Sequence, residues 1–593
     1  MSLEPPRGEV PRPQFSRSDW LCLNGPWGFE ADPIGEVVDR VDRELGRTIN
    51  VPFTPETVLS GIADTGFMES VWYRRKIIIP AAWAGKRVIL HFGAVDWLAT
   101  IYLDGKDVGT HRGGSVHFSF DVSEFVMPGE THTLVVHAQD HLRSGKQPGG
   151  KQSSRLDSWG CYYARTTGIW QSVWLEATGD SYLSDFQIIA DPAGGRATVI
   201  PSISGYRRDL TFRLRASLEG KTATSEAALL PGTPVTIDFD EPKLWSPAAP
   251  HLYNLTLEVV DAQGVSLDRV ASYVGLRSVA VAGDQILLNG EPVYHRFVLD
   301  QGFYPEGGWT APDDAALKRD IELSMAMGFV GARLHQKVFE PRFHAWADRL
   351  GYLTWAESPN WGAEIDDPEA MGNFLDEWRQ IVVQCRNHPS VIAWTPLNET
   401  GFSAGREAPI SAQHGLSVER AAALTRDLDP TRPVNDASGW VHRDTDIWTV
   451  HSYEQDPVRL ADIVSAFPNV YRNAPKNEPH YAGQPYIIDE FGGAAFASEK
   501  TSDAPVERTA EIVAESPSQA WGYGAPPQTA EAFEARIRDQ VNTILSTQHS
   551  CGYCYTQLTD VEQEQNGLLT YDRTPKLPIE TYCEIFSAEP DSK

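Results

Sequence analysis

Two carboxylate side chains each end a run of apolar residues. Glu399 ends the run Val391-Ile-Ala-Trp-Thr-Pro-Leu-Asn-Glu399, and Glu490 ends the run Pro485-Tyr-Ile-Ile-Asp-Glu490. Both runs are typical of buried parallel strands. Two carboxylates that face one substrate suit cleavage of a glycosidic bond, because one protonates the leaving oxygen while the other stabilises or attacks the anomeric carbon. A separation of about 5–5.5 Å would give retention of configuration, and about 6.5–9.5 Å would give inversion.

The elements that must position these carboxylates belong to a C-terminal (β/α)₈ TIM barrel, predicted over residues 282–593, because strand and helix patterns alternate there. The strands are predicted near 292–298, 329–335, 352–357, 391–398, 433–437, 446–453, 486–490 and 552–558. The predicted helices include 314–327, 341–350, 372–386, 418–428 and 530–546. A doubly wound sheet would need a Gly-rich phosphate-binding turn after its first strand, and the sequence has none.

The remainder of the chain is predicted to be all-β. Short alternating runs separated by turn residues fill residues 1–180, and this pattern predicts a β-sandwich. A second set of short strands over residues 181–281 predicts an immunoglobulin-like sandwich, in which no residue points to chemistry.

In a TIM barrel the carboxyl ends of the strands converge on one face, so the polar residues at those ends are the candidates for catalysis and binding. These residues are Asp300, Gln301, Arg333, His335, Lys337, Glu357, Asn398, Glu399, His451, Tyr453, Glu490, Tyr555 and Gln557. The sequence lacks the G-x-S-x-G, H-E-x-x-H and calcium-loop motifs. The CxxC pair at Cys551 and Cys554 has no second pair or His cluster beside it, which favours structural thiols. We expect neither a metal nor an organic cofactor.

The composition excludes several partners. A formal net charge of −29 over 593 residues argues against nucleic acid and anionic membranes, which bind basic surfaces. The N-terminal residues lack the apolar core of a signal peptide, and no run of about 18 apolar residues could span a bilayer. We therefore expect a cytoplasmic protein that acts on an oligosaccharide or a glycoside. The sequence leaves a homo-oligomer open.

Several motifs, in order, resemble glycoside hydrolase family 2, which includes β-galactosidases, β-glucuronidases and β-mannosidases. The catalytic segments of that family resemble Asn387-His-Pro-Ser-Val-Ile-Ala-Trp-Thr-Pro-Leu-Asn-Glu-Thr400 and Pro485-Tyr-Ile-Ile-Asp-Glu-Phe-Gly492. Its N-terminal jelly-roll sugar-binding domain resembles Ser18–Trp27, Val71–Arg75, His111–Gly114 and Thr167–Leu175, and its domain junction resembles Gly275–Val279 and Leu287–Pro292. The resemblance covers nearly the whole chain and implies the three domains predicted above.

The resemblance also implies roles. Glu399 would be the general acid and then the base of an exo-acting retaining glycosidase, and Glu490 would be the nucleophile. Asn398 would hold the sugar 2-hydroxyl, Tyr453 would donate a hydrogen bond to Glu490, and Arg333 would keep the pKa of Glu490 low. Further substrate contacts are expected from Asp300, His335 and Trp521. Asp489 competes for the nucleophile role, but adjacent strand residues point to opposite faces, and the family pattern selects Glu490.

Substrate identity is less determined. Family glucuronidases carry Asn-x-Lys before a late glycine, where this chain has Glu562-Gln-Glu-Gln-Asn-Gly567, and an extra acidic residue is a poor receptor for a carboxylate. A β-galactoside is therefore the expected substrate, with mannoside, arabinoside, galactofuranoside and, less favoured, glucuronide left open. Lys337 is either a donor to a sugar hydroxyl or an ion-pair partner. A non-catalytic carbohydrate-binding protein is the alternative of a different class.

Two long segments are expected to cover the barrel mouth. The loop from Gly145 to Ser158 is predicted to reach the active site from the first domain, with Lys151 or Asp157 as polar contacts, although a disordered loop fits the same composition. The segment from Gly492 to Thr529 carries Trp521, which we expect to form an apolar wall of a dead-end pocket.

Overall fold

The computed structural model describes residues 4–32, 40–230, 232–401, 408–497, 505–508, 519–547 and 549–590. They form two β-sandwiches followed by a (β/α)₈ barrel, as the sequence predicts. Within these ranges no helix is both long enough and apolar enough to cross a membrane.

The first sandwich consists of two antiparallel sheets around one apolar core. The larger sheet contains, in order, Arg47–Val51, Gly25–Ala31, Ser70–Ile78, Thr131–Gln139, Leu98–Leu103 and Lys106–Arg112. The smaller sheet contains Trp20–Cys22, Val173–Thr178, Arg87–Phe92 and Phe118–Asp121, and Val95–Asp96 pairs with Gly168–Ile169. Alternate residues of a strand point to one face, so Ala99, Ile101 and Leu103 enter the core while their neighbours lie outside it.

The second sandwich is smaller and has its own core. Its sheets contain, in order, Tyr182–Asp191, Arg196–Ser204 and Val235–Asp238, and Lys221–Ala228, Thr211–Leu218, Tyr253–Val260 and Ser266–Val274. Phe15, from the start of the chain, packs in this core and stacks on Phe186 with ring centroids 5.3 Å apart. The short strands Trp245–Ser246, Ala249–Pro250, Val279–Ala282, Gln285–Leu288 and Glu291–Pro292 lead into the barrel.

Seven parallel strands form the described barrel sheet. They are β1 (His295–Asp300), β2 (Gly331–Leu334), β3 (Leu353–Glu357), β4 (Val391–Thr395), β5 (Trp448–Ser452), β6 (Tyr486–Gly492) and β7 (Ser550–Thr556), in the sheet order β4-β3-β2-β1-β7-β6-β5. Segment 433–438 occupies the gap between β4 and β5 and forms isolated parallel bridges from Val434 to Trp394 and from Ser438 to Asn398. The strand predicted at 433–437 therefore lies in the eighth position of the barrel. The ladder is interrupted at Asp436, because its N–H donates to the Thr445 hydroxyl and its carboxylate accepts the N–H of Ala437.

The helices that pack around the strands are α1 (Asp314–Ala326), α2 (Pro341–Leu350), α3 (Pro368–Cys385), α4 (Ala412–Leu428), α5 (Pro457–Val464), α6 (Ala530–Leu545) and α7 (Ile579–Phe586). The sequence predicts five of them and misses the short helices α5 and α7. Helix α3 begins four residues earlier than predicted, because the Asp367 carboxylate accepts the backbone N–H groups of Glu369 and Ala370 and caps the helix at that point.

Candidate active site

The barrel brings Glu399 and Glu490 together at the carboxyl ends of its strands. One carboxylate oxygen of each glutamate and one ring nitrogen of His451 lie within 4.8 Å of one another. This proximity fits the short carboxylate separation of retaining glycosidases, about 5–5.5 Å, better than the roughly 6.5–9.5 Å of inverting ones. The Glu399 backbone has a φ of 48°, in the left-handed region that β-branched and bulky residues avoid. Its N–H donates to the carbonyl of Ser438 at 3.0 Å, which holds the residue in that conformation.

Glu490 is surrounded by donors that favour its ionised form. The Tyr453 hydroxyl donates to Oε2 at 2.5 Å, and the Arg333 guanidinium donates to Oε1 at 3.1 Å. Burial alone would raise the pKa of Glu490, but the charges of His451 and Arg333 outweigh burial and hold that pKa below its ordinary value. Glu490 therefore carries a negative charge at neutral pH, as a nucleophile must.

Asp489, the competing carboxylate, packs against the opposite nitrogen of the His451 ring, with Oδ1 3.4 Å from Nε2. Its Oδ2 accepts the Ser438 hydroxyl at 2.6 Å, and it is 1% exposed. The two adjacent carboxylates therefore contact different nitrogens of one ring, and the Tyr453 hydroxyl, which donates to Glu490, distinguishes the nucleophile.

Arg333 connects the nucleophile to the neighbouring strands. It is fully buried, and it donates to Oε2 of Glu357 at 2.7 Å and to Oδ1 of Asn398 at 2.6 Å. The Asn398 amide is thereby oriented, and its buried Nδ2 has no partner among the described residues. A buried donor without a partner is costly, so a substrate hydroxyl is the natural acceptor for it.

A cavity of about 930 Å³ lies above the two glutamates. Its walls include Asn398, Glu399, His451 and Tyr453, while Glu490 lies beneath them in contact with the last two. The aromatic and charged residues around the rest of the cavity are Arg155, Trp159, Tyr162, Trp361, Trp440, Arg508 and Tyr523. Glu399, His451 and Glu490 are close enough to ligate one cation, but the Arg333 guanidinium already occupies Glu490.

The long loop of the first domain reaches this cavity. The backbone N–H of Gly149 donates to the carbonyl of Trp361 at 2.7 Å, and Gly150 donates to the carbonyl of Pro359 at 3.0 Å. The loop is therefore ordered against the barrel, and its residue Arg155 lines the cavity. Lys151 and Asp157, the polar contacts expected from the sequence, do not line it.

Trp521 is not a wall of the pocket, so that prediction is wrong. The indole is 1% exposed, and its N–H donates to the carbonyl of Gly160 at 2.8 Å. Burial of so large an apolar side chain between the barrel and the first domain is more favourable than exposure to a wet cavity. The neighbouring Tyr523 lines the cavity instead.

Three further residues expected to bind substrate also lie behind the cavity wall. Asp300 is 3% exposed and accepts the N–H of Gly302, and burial followed by the charge of Asp320 raises its pKa to about 7. Arg333 and His335 support other side chains without lining the cavity, since both pack against Glu357. Strand ends converge on this face, but the outermost residues of each loop cover the inner ones, and a sequence pattern does not separate the two layers.

Lys337 matches neither of the roles that were left open. Its ammonium group donates to the carbonyls of Gly302 and Trp309 at 2.5 and 2.7 Å, and burial lowers its pKa to about 8. Sequence reasoning also missed the aromatic wall at Trp361 and Trp440. Trp361 follows β3 by only a few residues, so its place after a strand end was the available signal.

Comparison with known proteins agrees with this architecture. Three family models match the chain: the glycosyl hydrolases family 2 sugar binding domain over residues 22–177, a second model described as glycosyl hydrolases family 2 over 195–277, and the family 2 TIM barrel domain over 279–588. The chain belongs to glycosyl hydrolase family 2. This family 2 protein is thus an exo-acting, retaining glycoside hydrolase, and the expectation of such an enzyme is confirmed.

Its similar proteins are mostly β-glucuronidases, with some β-galactosidases among them, so the expectation of a β-galactosidase is not confirmed. A β-glucuronidase of Paenibacillus borealis is 26% identical over 82% of this chain and 85% of that protein. A β-galactosidase of Thermoanaerobacter pseudethanolicus is 25% identical over 56% of this chain and 44% of that protein. The solved structure of a Ruminococcus gnavus β-glucuronidase superimposes with a TM-score of 0.78 at 19% identity, over 98% of this chain and 100% of that one. The last likeness shows the shared fold.

Proposed function

We propose that this family 2 enzyme removes a terminal β-linked sugar from the non-reducing end of a glycoside, with Glu490 as the nucleophile and Glu399 as the acid and then the base. The observation that carries the assignment is the difference between the two carboxylates. Glu490 receives hydrogen bonds from Tyr453 and Arg333, which favour its anion, whereas the described partner of Glu399 is His451. The Glu490 anion attacks the anomeric carbon, and the Glu399 carboxyl exchanges a proton.

The geometry supports a double displacement. Glu490 forms a bond to the anomeric carbon while Glu399 gives a proton to the departing oxygen, and in the second step Glu399 takes a proton from the attacking water. The free amide N–H of Asn398 donates to the sugar 2-hydroxyl, a hydrogen bond that strengthens as positive charge develops on the ring.

A neutral sugar of the β-galactoside type is the first candidate for the terminal residue. At the position of the glucuronidase Asn-x-Lys, this chain has Glu564 and Asn566, and neither offers a cation. Glu564 is buried, accepts a short hydrogen bond from Tyr163 and pairs with Lys151 at 3.6 Å. The amide of Asn566 donates to Glu564 at 3.2 Å. β-Mannosides, arabinosides and galactofuranosides are further neutral candidates.

A β-glucuronide is the second candidate, favoured by Arg508 on the cavity wall. Its guanidinium contacts the Tyr523 hydroxyl at 3.4 Å and the face of Trp521 at 4.7 Å, and the charge of Glu564 also attracts it. A guanidinium binds a uronic carboxylate well. The β-glucuronidases among the similar proteins support the same candidate.

Hydrolysis of 4-nitrophenyl glycosides tests both the glycosidase activity and the identity of the terminal sugar. Release of nitrophenol from the β-galactoside, with the β-glucuronide inert, would support the neutral sugar, and the reverse result would support the uronide. Proton NMR of the first-formed sugar must show the β-anomer. If no member of the panel is hydrolysed while free sugars raise the melting temperature, the protein binds carbohydrate without cleaving it.

A further inference from the structure

His451 lies between the two catalytic carboxylates. Its Nδ1 is 2.8 Å from Oε1 of Glu399 and 3.3 Å from Oε2 of Glu490. The same nitrogen therefore lies within hydrogen-bonding reach of both the acid and the nucleophile. The roles derived so far give this side chain no part in the transfer of the acid proton.

The hydrogen bonds on the far side of the ring determine its tautomer. The Ser438 hydroxyl gives its only proton to Oδ2 of Asp489 at 2.6 Å, so its oxygen accepts from Nε2 of His451 at 3.0 Å. Oδ1 of Asp489, a second acceptor, is 3.4 Å from Nε2. Nε2 therefore carries a hydrogen. Nδ1 is left to share a proton with Glu399, either as an acceptor from the carboxyl group or as a donor to the carboxylate.

The ring has little freedom to leave this position. The backbone N–H of His451 donates to Oδ1 of Asn473 at 3.0 Å, and Nδ2 of Asn473 donates back to the carbonyl of His451 at 2.9 Å. Gly439 packs on the ring, and a Cβ at that position would lie 2.1 Å from Cδ2 of His451. This close approach requires a glycine, which has the left-handed φ of 70°.

We propose that His451 is a positioning residue that holds the acid proton jointly with Glu399 and keeps Glu490 ionised between turnovers. The proposal rests on the proposed function. In the first step one proton leaves the pair through Glu399 to the departing oxygen, the glycosidic C–O bond breaks, and Glu490 bonds to the anomeric carbon. A neutral imidazole and a carboxylate remain. In the second step water gives a proton to Glu399, the oxygen of that water bonds to the anomeric carbon, and the bond from that carbon to Glu490 breaks. The protonated pair of His451 and Glu399 is thereby restored.

The charges around His451 favour its protonated form. Glu399 faces it from the end of β4, Asp489 and Glu490 face it from β6, and Arg333 and His335 approach from β2. Burial disfavours the cation, but the nearby carboxylates outweigh burial and raise the pKa of His451 to about 10. Among these carboxylates Glu490 has the largest effect. Burial lowers the pKa of His335, so that ring is neutral and adds no competing charge.

The substitution His451→Gln tests the proposal, because glutamine retains a hydrogen-bonding amide and loses the charge. Without that charge Glu490 takes up a proton at higher pH, so the acidic limb of the kcat/KM profile should move up by about 1 to 3 pH units. His442→Gln is the matched control. His442 is equally buried and pairs with Asp436 at 2.7 Å, but its described contacts include neither glutamate. An acidic limb that stays in place in His451→Gln, or moves equally in both variants, overturns the proposal.

A measurement without turnover separates this proposal from the proposed function. In the full-length protein labelled with ¹⁵N-histidine, the signal that disappears in His451→Gln should show Nε2 protonated and should remain that of an imidazolium at pH 8. Titration of that signal near the ordinary histidine value of about 6.5 would contradict the proposal even if the enzyme is active. If instead no glycoside is hydrolysed while the imidazolium signal persists, the proposed function fails and the shared proton stands.

Discussion

Tyr453 and Tyr523 lie face to face, with ring centroids 3.6 Å apart and ring planes 9° from parallel. The hydroxyl of Tyr453 donates to the nucleophile Glu490, so the stacked ring of Tyr523 fixes the direction of a catalytic hydrogen bond. Tyr523 also forms part of the cavity wall. One aromatic side chain thus supports the nucleophile and bounds the space above it.

Substitution of Tyr523 by alanine should lower kcat/KM about tenfold, because loss of an aromatic pair costs about 0.5–1.5 kcal/mol and leaves Tyr453 free to rotate. Tyr523→Phe keeps the stacked ring and should remain close to the wild-type rate. Steady-state kinetics on any cleaved aryl glycoside measures both. Equal loss in the two variants would show that the hydroxyl, rather than the ring, is what matters.

Trp521 should influence stability rather than substrate binding. Its indole is buried and bonds to the first domain, so Trp521→Ala should cost about 3–5 kcal/mol of unfolding free energy. The measurement is the denaturation midpoint in urea, with Trp521→Phe as a milder control. A variant that unfolds like the wild type but loses affinity for substrate would show that Trp521 contributes to the pocket wall.

These two aromatic residues show where prediction from the sequence succeeds and where it stops. The positions of Glu399 and Glu490 were predictable, because an apolar strand that ends in a polar residue places that residue at the barrel face whatever surrounds it. The choice between Trp521 and Tyr523 as the pocket wall depends on how the first domain packs on the barrel. That contact joins residues about 360 positions apart, and no local pattern encodes it.

The same limit applies to the second layer of the site. Asp300 and Lys337 end or follow strands just as Glu490 does, yet the loops above cover them and they bond to backbone groups. The strand predicted at 433–437 has its place in the barrel, between β4 and β5. Its two bridges lie on either side of Asp436, whose carboxylate accepts the Ala437 N–H in place of a ladder partner.

Removal of the nucleophile should nearly abolish turnover. Glu490→Ala is expected to lower kcat by more than about 10⁴-fold, because the covalent intermediate cannot form. Added azide should restore cleavage of activated aryl glycosides, because azide bonds to the anomeric carbon as the aryloxide leaves and yields the glycosyl azide of inverted configuration. The corresponding Asp489→Ala variant tests the competitor. Azide rescue of Asp489→Ala, and not of Glu490→Ala, would reverse the assignment.

The loss of rate on removal of the acid should depend on the leaving group. Glu399→Ala is expected to slow phenyl glycosides by about 10²–10⁴-fold and to spare dinitrophenyl glycosides in their first step, since a good leaving group needs little protonation. A plot of log kcat/KM against leaving-group pKa should therefore be steeper in the variant than in the wild type. Parallel slopes would remove Glu399 from the role of acid.

Arg508 provides the sharpest test of the sugar that is cleaved. Its guanidinium lines the cavity beside Tyr523, close to the group that orients the nucleophile, so it can reach the edge of the bound sugar. If the terminal sugar is a uronide, Arg508→Gln should raise KM and lower kcat/KM by about 10- to 100-fold, as loss of a charged hydrogen bond costs about 1.5–3 kcal/mol. If the terminal sugar is neutral, the change in kcat/KM should be less than about threefold.

Arg155→Gln is the matched control, because Arg155 lies on the same cavity with its guanidinium 3.7 Å from the ring centre of Trp159, in the first domain. Loss on the glucuronide in Arg508→Gln alone, with galactoside hydrolysis unchanged in both variants, would identify Arg508 as the carboxylate receptor that replaces Asn-x-Lys.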